Sequence, residues 1–134
     1  LDLPLVSSRI IDFSKVDSTV FKDYSDKDGN PIGRVTVVNG DRNVTSADSG
    51  LLIVKGDATV DADFKGLILA SGKVTVTGNH KLEYDMITVG NLLEEIKYDD
   101  EFAKYFYAFN GGLSQDTTEM NKCVFYQNWV KNAY

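Results

Sequence analysis

Gly50-Leu51-Leu52-Ile53-Val54-Lys55-Gly56-Asp57-Ala58-Thr59-Val60 is answered sixteen residues later by Gly66-Leu67-Ile68-Leu69-Ala70-Ser71-Gly72-Lys73-Val74-Thr75-Val76. Working back by the same interval, Val35-Thr36-Val37-Val38 precedes Gly40, and Asp41-Arg42-Asn43-Val44-Thr45 follows it. Each repeat therefore holds two short strands. The first is a nearly continuous apolar run; the second alternates with period two and brings Val44, Val60 and Val76 into one register. A single repeat cannot bury its apolar side, whereas stacking like residues on like builds a continuous core. Glycine at the corners permits the positive φ of a sharp bend. The expected fold is mainly β: a short parallel β-solenoid of about three sixteen-residue rungs. The same strands also suit an antiparallel β-meander with helices, because Asn39-Gly40 is a strong two-residue hairpin signal.

The chain reads as a single domain over 1–134, divided into a strand and hairpin segment (1–34), the repeats (35–90), and a helical cap and tail (91–134). In the first part, Val20-Phe21-Lys22-Asp23-Tyr24 leads into the turn Asp28-Gly29-Asn30-Pro31. Asp23, Asp26 and Asp28 invite a calcium reading. Placing Gly29 at the sixth position of the loop puts Tyr24 first and Val35 twelfth, so the ligand pattern fails and a plain acidic turn is expected. After Gly90 the period becomes helical, with Leu92, Leu93, Ile96, Phe102, Phe106 and Phe109 near one face. This spacing predicts helices over 91–97 and 99–109, the second opened by Asp99, Asp100 and Glu101. Their expected role is to cover the open end of the stack.

The net charge of −6 disfavours nucleic acid and anionic lipid as partners, since both need a basic patch. No apolar stretch reaches the length of a membrane span. The chain begins at Leu1 rather than Met, so a mature or trimmed segment is expected, with any membrane anchor upstream of it. Cys123 is the only cysteine and reads as a small buried hydrophobe rather than a nucleophile. His80 is the only histidine and reads as a turn residue, which leaves no imidazole-based metal cluster. No nucleophile-elbow pattern surrounds Ser71 or Ser114. Glu94 with Glu95, and Asp99 with its two acidic neighbours, are the candidate carboxylate pairs for glycoside cleavage. Such chemistry needs two carboxyls about 5–9.5 Å apart across a groove, whereas acidic residues at helix starts already explain these. Asn43-Val44-Thr45 matches a glycosylation acceptor, a short pattern that chance supplies readily. No catalytic residue, metal or cofactor is assigned. Tyr126 and Trp129 in the aromatic tail are the candidate ligand contacts, with packing against the core as the plainer role.

The glycine-punctuated run from Gly50 to Asn79, together with the ending Val124-Phe125-Tyr126-Gln127-Asn128-Trp129-Val130-Lys131-Asn132, resembles the C-terminal part of type IV pilus-associated, minor-pilin-like surface proteins of Gram-positive bacteria. The repeats alone also resemble bactofilin-like β-helical proteins. The resemblance implies a non-enzymatic, extracellular structural or assembly domain, anchored through an N-terminal hydrophobic helix absent from this chain. It implies other surface or pilus proteins as partners. A carbohydrate-binding adhesin module, contacting glycans through Tyr126 or Trp129, is the alternative; a polysaccharide-active enzyme comes third.

Overall fold

A computed structural model describes residues 3–109, with side chains from Ser7 onward. Its strands are β1 (Val20–Ser25), β2 (Pro31–Asn39), β3 (Arg42–Val44), β4 (Asp48–Lys55), β5 (Ala58–Val60), β6 (Phe64–Ala70), β7 (Val74–Val76) and β8 (Leu82–Glu83). The helices are α1 (Leu3–Ile10), α2 (Met86–Ile96) and α3 (Asp100–Ala103). The four long strands and the two-residue β8 form a five-stranded sheet in the order β1-β2-β4-β6-β8; the three-residue strands form a second sheet, β3-β5-β7. All neighbours pair in parallel except β1 and β2, which are antiparallel. The fold is thus a β-solenoid, and the meander is excluded because β2 and β3 lie in different sheets. Val35, Leu51 and Leu67 stack at the interval of sixteen, as do Val44, Val60 and Val76.

The apolar runs are continuous because both faces of the larger sheet are buried, as parallel strands generally are. Val35, Val37, Leu51, Ile53, Leu67 and Leu69 point to one face, where Leu92, Ile96, Phe102 and Phe106 cover them. Val38, Leu52, Val54, Ile68 and Ala70 point to the other and meet Val44, Ala58 and Val60 of the second sheet. The helical cap therefore lies across a face of the sheet rather than over the end of the stack. The reason is the larger apolar area: an open end exposes one edge strand, whereas the face exposes three.

The repeat is also held by its corners. Asp41 Oδ1 accepts the Asp57 N–H at 2.8 Å, and Asp57 Oδ1 accepts the Lys73 N–H at 2.8 Å. Each carboxylate thus ties its rung to the next. A Cβ at Gly56 or Gly72 would collide with these same carboxylates, so Gly and Asp are required together at the corner. Asp57→Ala leaves the Lys73 N–H to water and should cost about 1 kcal/mol in chemical denaturation; no change in midpoint would dismiss the ladder as incidental.

The last rung departs from the interval. Phe64 pairs with Leu82, eighteen residues on, where a strict repeat would have placed His80 opposite Phe64. The two extra residues, accommodated around Gly78 (φ +74°), put an apolar side chain there instead. Leu82 packs against the core beside Phe64.

Among the flanks, the hairpin of β1 and β2 is present as expected, with a register shift at Tyr24/Ser25. Asp26 fills its turn by accepting the Asp28 and Asn30 N–H groups, both at 2.9 Å. Helix α1 was not expected within 1–34. Its C-terminal residue Ile10 is buried and accepts the Tyr107 N–H, and just beyond the helix Ile11 is buried and the Asp12 N–H bonds to the Tyr105 carbonyl. Helix α2 begins five residues earlier than predicted, at an Asp85 cap, and the helix expected over 99–109 is regular only across α3.

Candidate functional site

Among the described residues, polar side chains gather in three places. The first joins β1 to α3. Asp99 caps α3 by accepting the Glu101 N–H at 3.1 Å on Oδ1, while its Oδ2 accepts from Lys22 Nζ at 2.6 Å and from Tyr24 Oη at 2.7 Å. Burial pushes the Asp99 carboxyl up, but these bonds outweigh it and hold the group below its ordinary value. Burial, then the bond to Asp99, raises the Tyr24 phenol far above its own. Tyr24 is buried and meets Phe102 edge-on at 6.3 Å, so this cluster fastens the hairpin to the cap.

The second place is the long last rung. His80 Nε2 lies 3.0 Å from Asp61 Oδ1, and its Nδ1 lies 3.8 Å from Asp63 Oδ1, which also accepts the Lys81 N–H at 2.8 Å. His80 sits in the turn expected for it. The two Asp partners were not foreseen, because the two-residue insertion that presents the imidazole to them is invisible to a strict repeat. The bond from His80, then that from Thr77, keeps Asp61 below the usual carboxylate range.

The third place is the row of strand starts, where two shallow depressions adjoin at Asp48. One, of about 330 Å³, is lined by Asp23, Arg34, Asp48 and Ser49 among others. The other, of about 220 Å³, includes Asp63, Lys65, Lys81 and Glu83. Arg34 grips Asp23 through Nε at 2.7 Å and Nη2 at 3.1 Å; Lys81 pairs with Glu83 at 2.7 Å, and Lys65 lies 3.9 Å from Asp85.

The sequence-predicted groups are dispersed. Tyr126, Trp129 and Cys123 lie outside the described residues. Glu94 pairs with Lys97 on α2, Asp99 is committed to its three bonds, and Asn43 is exposed on β3. The carboxylates singled out for glycoside cleavage thus serve the helical layer and do not share a groove with the strand-start charges. Among the described residues, no group of three His, Cys, Asp or Glu could hold a metal ion, and no helix is long and apolar enough to cross a membrane.

Acid should weaken this network with a definite sign. Asp26, Asp61, Asp85 and Asp99 all lie below their ordinary values: Asn30 and Asp28 amides lower the first, His80 the second and Thr88 the third. The unfolded chain takes up protons first, so their contribution is complete above about pH 4 and lost as pH falls through the depressed values. Urea midpoints should be level between about pH 7 and 5 and fall below about pH 4; a rise on acidification would contradict the assignments.

Comparison of the chain with protein-family models, with curated proteins and with solved structures returned no match.

Proposed function

We propose that this chain is a non-enzymatic structural or assembly domain of a bacterial cell surface or pilus. The observation that carries the reading is the two-sided burial of the larger sheet. Among the described residues, the apolar side chains of the three rungs are buried on both faces of the sheet, and Arg34 with Asp23, Lys65 with Asp85 and Lys81 with Glu83 pair charges at the strand starts. Such a body suits a spacer presented among neighbouring proteins.

The ends of the body favour side-by-side contacts. β1 overhangs the second sheet at one end and β8 at the other, so among the described residues β3 and β7 have no partner strand beneath these overhangs. Stacking two copies end to end would bring β8 against β1 while holding the second sheets apart. The edge is also guarded by Lys22 and Asp23 in mid-strand, since charged residues discourage edge pairing. Immunogold labelling and protease shaving of intact cells of the source bacterium test the location. Labelling without lysis supports a surface domain, and labelling only after lysis overturns it.

A further inference from the structure

We propose that the step beneath β1 is a contact site for a neutral saccharide. The argument starts from the sheet pairing. Phe21 lies opposite Thr36 and Asp23 opposite Arg34, so all four share the face that, at Val38, becomes solenoid interior. The second sheet ends at β3, so among the described residues no strand covers that face of β1. Phe21 is consequently 62% exposed, although it stands on a rigid strand rather than a loop tip.

The groups around it are planar and prearranged. The Arg34 guanidinium lies 4.5 Å from the Phe21 ring centroid and is held flat by both oxygens of Asp23. Arg34 also lines the depression of about 330 Å³, together with Asp23, Asp48 and Ser49; Phe21 is not in that lining and adjoins it through the guanidinium. This volume is at the lower end for small-molecule sites and suits one or two sugar rings. Among the described residues, Arg34 gives two of its five N–H donors to Asp23, and Asp48 accepts the Ser49 N–H on Oδ1 with its Oδ2 left as an acceptor. An aromatic ring beside fixed donors and carboxylate acceptors matches a pyranose, which has an apolar C–H face and a rim of hydroxyls. One guanidinium against two carboxylates disfavours an anionic ligand, so the sugar is an uncharged one.

This deepens the surface-domain reading by naming the class of partner, and it rests on that reading only for where the sugar is met. The test uses the purified chain and a panel of glucose, galactose, mannose, N-acetylglucosamine and their β-linked dimers, followed by amide-shift and saturation-transfer NMR. Shifts centred on residues 21–25, 33–36 and 48–49 are expected for at least one sugar. Phe21→Ala should weaken that binding about tenfold or more, Phe21→Trp should retain it, and Tyr98→Ala, at another exposed aromatic, should leave it unchanged. Thermal melts establish that the variants are folded. Absence of shifts with every sugar, or binding indifferent to Phe21→Ala, overturns the proposal. Sugar binding by a chain that immunogold places inside the cell would sink the location alone.

Discussion

Gly66→Ala should destabilise the fold by about 3 kcal/mol or more, enough to remove most of the stability of a small domain. Two costs act together. Gly66 has φ +146°, where side chains are rarely tolerated, and an added Cβ would run into the carbonyl oxygen of Gly50 on the rung before. Gly50 is paired with Gly66 inside the parallel ladder of β4 and β6, so its carbonyl cannot withdraw without breaking that register. Gly40→Ala is the control: its φ of +124° is strained too, but nothing lies within 4 Å of the added atom. It should cost about 1–2 kcal/mol, the strain alone. Urea denaturation of the two variants checks this. Equal losses would mean that rung-to-rung approach is not what selects glycine at position 66.

Asp99→Ala should cost about 3 kcal/mol. The helix cap accounts for about 1 of these. The remainder comes chiefly from Tyr24, whose hydroxyl loses its carboxylate in a buried place, at about 1–3 kcal/mol. Lys22 adds little, since it is 42% exposed and its pair is screened. Asp99→Asn, which retains a cap and an acceptor, should fall between the two. The acid sensitivity described above should also shrink in Asp99→Ala, because one depressed carboxyl has been removed. A loss below about 1 kcal/mol would show that β1 and α3 are held together by apolar contact alone.

The solenoid was legible because its signal is repetition. Val44, Val60 and Val76 recur at one interval, and that interval is the register of the sheet. Three features were not legible, each for a physical reason. The position of the helical layer was hidden because a continuous run such as Leu51-Leu52-Ile53-Val54 calls for burial on both faces without saying which segment covers each. Helix α1 has Pro4, Ser7 and Ser8 among eight residues and owes its shape to contacts near Tyr105 and Tyr107, over ninety residues away. Helix α2 did carry a start signal in Asp85, whose carboxylate takes both the N–H and the hydroxyl of Thr88. The β-branched run Ile87-Thr88-Val89 and then Gly90 obscured it, because these residues disfavour an isolated helix.

The polar places divide along the same line. The acidic start of α3 was readable as a cap, but its bonds to Lys22 and Tyr24 depend on the hairpin lying beside the helix. The step beneath β1 arises from a mismatch between sheets of five and three strands, which no short motif encodes. Phe21, Arg34 and Asp48 consequently carried no signal in the sequence as a group.

Parallel stacking at an interval of sixteen is tested most directly by backbone NMR on the isotope-labelled chain. Cross-strand contacts should link Val35 to Leu51 and Leu51 to Leu67 in the larger sheet, and Val44 to Val60 and Val60 to Val76 in the smaller. Contacts between Val38 and Asp41 and between Val37 and Arg42, closing a hairpin over Asn39-Gly40, would contradict the solenoid.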